Sequence, residues 1–151
     1  MKYIVICLGN PLMGDDGLGI VAAEKLMKLG FKDVVCTPDV TSLIDKLSEV
    51  DAAIVIDAVD WGGKPGSIIK AKLEELKDKS IRLSHSISPI ELIELMRRLI
   101  SKPIEVFIVG VQPQSIELRK GLTPPVEQAV DKVVNEVKEL LSRLKEKVAN
   151  A

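Results

Sequence analysis

Three side chains in this sequence combine residue types and positions that could do chemistry on a bound group. Asp16 follows the first apolar run, Asp57 follows another apolar run, and His85 precedes a predicted helix. Two carboxylates and one imidazole that arrive on separate loops could form an open metal site with oxygen and nitrogen ligands. His85 is the only histidine of the chain, so any imidazole chemistry depends on it.

Each of these residues also has a purely structural interpretation, and a lone histidine in a Ser-rich loop, such as His85, usually has no catalytic or metal-binding role. Acidic residues at the start of a helix are often N-caps, and for Asp15 and Asp16 capping and function stay equally open. Asp57 could make a cap or turn contact, although its position beside a Gly-rich turn favours a function. Asp60 is interpreted as a turn-forming residue or as a support for the site.

Two other kinds of site are poorly supported. Residues 9–19 follow a strand and open a helix, as phosphate-binding loops do, but they lack the G-x-G-x-x-G spacing and the Lys-Ser/Thr pair of a P-loop. Paired aspartates at the helix start would also repel a phosphate. A nucleophilic residue is disfavoured, because Cys7 falls inside a predicted strand and Ser84 and Ser86 suit a helix N-terminus.

The elements that would position these residues alternate between strands and helices. The continuous apolar runs are typical of strands covered on both faces, so the sequence predicts an α/β three-layer sandwich. Its sheet is expected to be mainly parallel and twisted, with about five strands and helices on both faces. Ligands bind at the carboxyl ends of such strands, which is where Asp16, Asp57 and His85 would lie. The predicted strands are 2–8, 33–37, 52–56, 67–72 at an edge, and 104–109, and the predicted helices are 18–29, 41–47, 89–100 and 125–147.

The composition limits the class of protein. The chain of 151 residues is 46% hydrophobic and 28% charged, which predicts one globular domain over residues 1–151. Its net charge of -1 disfavours nucleic acid as a partner, and no apolar run reaches the roughly 18 residues of a membrane span. Cys7 and Cys36 are expected to be small buried hydrophobes in a reducing compartment, which favours a cytoplasmic protein over one with a disulfide.

Several motifs resemble those of the endopeptidases that mature nickel-iron hydrogenases. Residues 8–19, LGNPLMGDDGLG, are similar to that family's opening motif nearly letter for letter. Residues 55–62, VIDAVDWG, resemble its strand-end Asp-Ala-x-Asp segment, and His85 stands where the family has a histidine before a helix. Residues 110–113 (GVQP) and 122–124 (LTP) resemble later blocks, so the resemblance covers essentially the whole chain.

The resemblance implies an endopeptidase that removes the C-terminal extension of a nickel-iron hydrogenase large subunit after nickel insertion. It also implies that Asp16, Asp57 and His85 are the catalytic and metal-contacting residues. The nickel is expected to be carried by the substrate, with no tightly bound metal of the protein's own, because three ligands without a thiolate form an incomplete cage. Whether the metal assists hydrolysis or only licenses docking stays open.

Two alternative functions would use the same residues. A non-catalytic assembly chaperone would bind the metal-loaded large subunit and cleave nothing, so a shortened subunit after incubation distinguishes it from the endopeptidase. A metallohydrolase with its own bound metal is less favoured, because the sequence has no H-E-x-x-H motif.

Overall fold

Six β-strands and five α-helices make up the described part of the chain. The computed structural model describes residues 2–37, 39–76, 82–83 and 89–149. Short 3-10 helices, Gly14–Gly17 and Val40–Leu43, precede α1 and α2. The strands are β1 (Tyr3–Cys7), β2 (Val34–Cys36), β3 (Ala52–Asp60), β4 (Ile68–Lys72), β5 (Arg82–Leu83) and β6 (Glu105–Val111). The helices are α1 (Leu18–Lys28), α2 (Ile44–Ser48), α3 (Leu73–Leu76), α4 (Pro89–Leu99) and α5 (Pro124–Ala149).

The strands form one sheet in the order β2-β1-β3-β6-β4, and β5 pairs separately with β3. The four strands β2, β1, β3 and β6 run parallel, and β4 lies at an edge, antiparallel to β6. This arrangement confirms the predicted α/β fold with a mainly parallel sheet. That residues 1–151 form a single domain stays a prediction.

The order in which the chain adds strands to the sheet reverses at β1, although β1, β2 and β3 are all parallel. After β1 it forms β2 on one side, and it then returns to form β3 on the other side of β1. In open α/β sheets a crevice forms at the carboxyl ends of the strands where the strand order reverses, and ligands bind there. The β1–β3 boundary is therefore the position at which this fold favours a site.

The residues of β3 supply two hydrophobic cores, one on each face of the sheet. Ile54 packs in the core formed with α1 and α5, which includes Val133. Val55 packs in the opposite core, which includes Leu47 of α2 and Ile93 of α4. Because helices cover both faces, β3 is buried from Ala52 to Val59, as its continuous apolar run predicts. The three-layer arrangement is confirmed.

The end of β3 differs from the prediction. The strand continues to Asp60 rather than ending at Ile56, because it pairs with β6 as far as Ala58 and with β5 at Val59 and Asp60. Asp57 therefore lies inside a strand and not after it. The short elements α3 and β5 were also not predicted, since they interrupt a charged stretch that has no apolar period.

The two cysteines are register partners on β1 and β2, and both are free thiols. Cys7 is fully buried, as expected, but Cys36 is exposed. Because β2 is an edge strand whose burial decreases along its length, the prediction that both cysteines are buried is wrong for Cys36. Within the residues described here, no helix combines the length and apolar character needed to cross a bilayer.

Candidate active site

Asp57 lies at the carboxyl end of the sheet, where it pairs with Gly110 of β6. Its side chain is buried, and its Oδ1 accepts the N–H of Ala58 at 2.9 Å. Because side chains alternate along a strand, Asp57 points to the same face as Val55 and Val59. That face is covered by α2, α3 and α4, and α4 is the helix that follows His85 in the sequence.

Asp16 lies in the 3-10 helix between β1 and α1 and is also buried. Its Oδ2 accepts the N–H of Asn10 at 2.8 Å, so the loop's own backbone orients the carboxylate. Gly9 permits this folding, because its φ is +131° and a Cβ there would lie 1.8 Å from the carbonyl oxygen of Asp16. Any side chain at position 9 would therefore displace Asp16.

The start of α1 packs against the residue after β1 and against Ile56 within β3. A Cβ on Gly19 would lie 2.3 Å from the carbonyl oxygen of Leu8 and 3.2 Å from that of Ile56. Asp16 comes just before this helix start, and Asp57 comes just after Ile56. The structure therefore brings both acids to the β1–β3 boundary, the edge at which the sequence predicted them.

The third predicted residue, His85, lies outside the described residues, as do its neighbours from 84 to 88. The backbone before this segment is described: Leu83 pairs with Val59, two residues after Asp57, and Arg82 pairs with Asp60. The backbone after it resumes at Pro89, the first residue of α4, as predicted.

Neither acid of the loop caps α1. The N-cap of that helix is Gly17, and no side chain makes a capping hydrogen bond there. The interpretation of Asp15 and Asp16 as caps of α1 is therefore wrong. The two adjacent acids make different contacts and need separate explanations.

Asp15 ties its loop to the connection between β6 and α5. It is fully buried, and its Oδ2 accepts the N–H groups of Gln114 and Ser115 at 2.8 and 3.0 Å. Its Oδ1 accepts the N–H of Thr123 at 2.7 Å, and the Thr123 hydroxyl also donates to the carboxylate. Sequence reasoning missed this role, although Thr123 belongs to the LTP block that it had noted.

Gln112 fixes the turn that follows β3. Its Oε1 accepts the N–H groups of Trp61 and Gly63 at 2.9 and 3.1 Å, and its Nε2 donates to Oδ1 of Asp60 at 2.9 Å. Asp60 also accepts the N–H of Gly62, which confirms its predicted part in a turn. Gln112 was missed as a contributor, although it lies in the GVQP block.

The described residues supply carboxylates but no complete metal cage. Among them, no group of three or more His, Cys, Asp or Glu side chains is placed to hold a metal ion. The carboxylates of Asp16 and Asp57 suit a metal whose other ligands come from elsewhere, and a carboxylate can also accept a proton from water. The arrangement fits a site that another residue or a bound substrate completes.

Known proteins share both the sequence pattern and the fold. The sequence profile of the hydrogenase maturation protease family matches residues 38–140, well over half of the chain. The Hydrogenase 3 maturation protease of Escherichia coli K12 is 26% identical over 138 residues, which cover 88% of this chain and 86% of that protein.

Two solved structures superpose on almost the whole chain. The [NiFe] hydrogenase maturation protease HybD from Thermococcus kodakarensis has a TM-score of 0.79 and 28% identity, and the match covers 93% of this chain and 99% of that one. The hydrogenase maturating endopeptidase HybD from E. coli has a TM-score of 0.75 and 26% identity, with 97% and 94% covered. The resemblance drawn from the sequence motifs is confirmed: this chain belongs to the hydrogenase maturation protease family.

Proposed function

We propose that this protein is an endopeptidase that removes the C-terminal extension of a nickel-iron hydrogenase large subunit after nickel insertion. The observation that carries the proposal is the pair of buried carboxylates, Asp16 and Asp57, at the β1–β3 boundary of a chain from this family. The printed names of its relatives, a Hydrogenase 3 maturation protease and a hydrogenase maturating endopeptidase, support a hydrogenase subunit as the substrate.

In this proposal Asp16, Asp57 and His85 contact the nickel of the precursor and carry out the cleavage. Backbone N–H groups already orient both carboxylates, so little conformational freedom is lost when they meet a metal. The pairing of Leu83 with Val59 supports a role for His85, because it brings the chain close to Asp57 just before the histidine.

The nickel belongs to the substrate. Two carboxylates and one imidazole contain no soft thiolate, so they would not extract nickel from cysteine ligands in a precursor. They would instead complete the coordination of a metal that the precursor already holds. A metal-free precursor lacks this contact, and the protein would therefore distinguish finished from unfinished substrate.

Cleavage adds water across the scissile peptide bond. The water oxygen bonds to the carbonyl carbon, the C–N bond breaks, and the leaving amine takes up a proton. A carboxylate at the site can accept the proton that the attacking water loses, and nickel of the substrate can polarise the carbonyl. In one version of the proposal nickel thus takes part in hydrolysis itself, and in the other it serves only as a contact that the precursor needs in order to dock. Both versions of the proposal require a nickel-loaded precursor.

The test is to incubate the protein with a nickel-loaded and a nickel-free large-subunit precursor and to follow the C-terminal mass by intact mass spectrometry. We expect the loaded precursor to lose its extension and the nickel-free precursor to stay intact. Equal cleavage of both would contradict the nickel requirement.

Binding must be measured on the same samples. If the loaded precursor binds but is never shortened, the endopeptidase proposal is wrong and the assembly-chaperone alternative replaces it.

A cytoplasmic site of action, which two free thiols favour, is part of the same proposal.

A further inference from the structure

Cys7 and Cys36 are direct neighbours across two parallel strands. The register pairs Cys7 of β1 with Cys36 of β2, at the carboxyl ends of both strands. Adjacent strands lie about 4.8 Å apart, and paired residues present their side chains on the same face of a sheet. A disulfide needs Cα atoms about 4.4–6.8 Å apart, so the backbone already has a spacing that permits the bond.

The two thiols differ in their access to solvent. Cys36 is exposed at the end of the edge strand, whereas Cys7 is fully buried in the core beneath α1 and α5. A reagent from solvent can therefore reach Cys36, whereas the buried Cys7 can react with a sulfur that Cys36 has already bound. This is the arrangement of an attacking and a resolving cysteine.

The neighbouring Cys7 thiol also makes Cys36 the more reactive thiol. Its interaction with Cys36 lowers the pKa of Cys36 from the usual thiol range to about 7, against the opposing effects of burial and of the negative charge of Glu24. The same contact, together with burial, raises the pKa of Cys7. Near neutral pH a large fraction of Cys36 is therefore thiolate, the form that attacks a disulfide.

We infer that Cys7 and Cys36 are a reversible redox modification site, which forms an intramolecular disulfide by exchange with a small-molecule disulfide such as glutathione disulfide. The inference rests on the strand register and on the unequal exposure of the two thiols, and it does not depend on the proposed peptidase function. A metal site is disfavoured here, because the described residues give the two sulfurs no third ligand with which to hold an ion.

The exchange proceeds in two balanced steps. The Cys36 thiolate attacks one sulfur of glutathione disulfide, which forms a mixed disulfide and releases one glutathione thiolate. The Cys7 thiol then loses its proton and attacks the Cys36 sulfur, so that the Cys7–Cys36 bond forms and a second glutathione leaves. The protein loses two electrons and two protons, and one glutathione disulfide is reduced to two glutathione molecules.

The disulfide would fasten the edge strand β2 to β1. Cys36 ends β2, and Cys7 ends β1 directly before Leu8 and the loop that carries Asp16. The described backbone contacts at this corner are the strand ladder and the N–H of Thr37, which donates to the Cys7 carbonyl oxygen at 3.3 Å. A covalent bond there would join β2 to β1 in addition to these hydrogen bonds.

The test equilibrates the folded protein with glutathione buffers of increasing oxidation, quenches with a thiol alkylating reagent in denaturant so that the buried Cys7 also reacts, and measures intact mass without reductant. As the buffer becomes more oxidising, we expect the number of alkylated thiols on the monomer to fall from two to zero. The fully oxidised monomer should weigh two hydrogen atoms less than the unalkylated reduced protein and carry no glutathione. Adding dithiothreitol should restore both thiols.

Two variants separate the roles of the cysteines. Cys7→Ala, a small apolar replacement in the core, should retain one stable glutathione on Cys36. Cys36→Ser should leave the buried Cys7 unmodified while the protein is folded, as judged by circular dichroism. Stable glutathione on wild-type Cys36, a disulfide-linked dimer, or two thiols that stay alkylatable in fully oxidised glutathione would each overturn the inference.

Discussion

The adjacent acids Asp15 and Asp16 are both buried, but their hydrogen-bond donors come from different parts of the chain. Asp15 accepts from Gln114, Ser115 and Thr123, which belong to the connection between β6 and α5. Asp16 accepts from Asn10 of its own loop and lies at the β1–β3 boundary. Burial alone therefore does not separate a structural acid from a candidate functional one, and the three donors from a distant segment identify Asp15 as a structural acid.

Replacing Asp15 should cost the protein stability. In Asp15→Asn an amide NH₂ must face at least one of the three backbone N–H donors, and the charge-assisted hydrogen bonds are lost. We expect the free energy of unfolding to fall by about 3 kcal/mol, measured by urea denaturation.

Asp16→Asn and Asp131→Asn are the comparisons for this prediction. The amide oxygen of Asp16→Asn can still accept the N–H of Asn10, and the side chain of Asp131 is 78% exposed. Asp131→Asn should lose less than about 1 kcal/mol, and Asp16→Asn should lose less than Asp15→Asn. A smaller loss for Asp15→Asn than for Asp16→Asn would contradict the structural role of Asp15.

The reactivity of Cys36 should depend on pH in a manner set by Cys7. Because the interaction with the Cys7 thiol lowers the pKa of Cys36 to about 7, the thiolate fraction of Cys36 rises as the pH rises through that value. The rate of alkylation by iodoacetamide, followed by mass spectrometry, should have its midpoint near the same pH. In Cys7→Ala the midpoint should move upward, and an unchanged midpoint would show that Cys7 does not stabilise the thiolate.

At the scale of elements, the loop over residues 9–17 is held by backbone contacts as well as by the Asp15 carboxylate, and no side chain caps α1. Its Gly14 N–H donates to the carbonyl oxygen of Arg119 at 2.8 Å, and the Arg119 N–H donates to that of Leu12 at 2.9 Å. These bonds attach the loop to the connection before α5 in a short parallel bridge. The position of Asp16 therefore depends on two segments that are distant in the sequence.

Gly9→Ala should lower the free energy of unfolding more than the same substitution at Gly30, which lies in open space. The added Cβ would overlap the Asp16 carbonyl oxygen, whereas at Gly30, which also has a positive φ of +94°, a Cβ meets nothing within 4 Å. We expect Gly30→Ala to lose about 1 kcal/mol of unfolding free energy and Gly9→Ala about 3 kcal/mol or more. Urea denaturation measures both, and equal losses would mean that the close approach to Asp16 has little energetic weight.

Local pattern was enough to predict the strands and helices with strong apolar periods. The continuous run before Asp57 identified β3, and Pro89 identified the start of α4. The true end of β3 was missed because it depends on pairing with β5 and β6, which no local window contains. Likewise, the exposure of Cys36 follows from the edge position of β2, and sheet order is not visible in a short apolar segment.

The candidate site was predictable only in part, for a related reason. Asp16 and Asp57 were found because both follow apolar runs at the carboxyl ends of strands. The partners of Asp15 were not found, since Thr123 is 108 residues away along the chain. The role of Gln112, which connects the residues after β6 to the turn after β3, also exists only in the folded molecule.

At the scale of the whole molecule, the sheet explains why acids from two distant motifs lie at one boundary. β1 and β3 are neighbours, and the strand order reverses between them, so the β1–α1 loop and the part of β3 around Asp57 meet at the crevice that open α/β folds use for ligands. Both faces of the sheet are buried against helices. The edge at the carboxyl ends of β1 and β3 is therefore where a precursor could meet these carboxylates.

The most direct test of this account is the cleavage rate of a nickel-loaded precursor by the variants Asp16→Asn, Asp57→Asn and His85→Ala, with Asp131→Asn as the matched surface control. Circular dichroism and urea denaturation of the same samples establish that each variant is folded. The account predicts that the three site variants cleave at least about 100-fold more slowly than wild type, while the control cleaves at the wild-type rate. Wild-type cleavage by folded Asp16→Asn or Asp57→Asn would contradict the assignment of the site to the β1–β3 boundary.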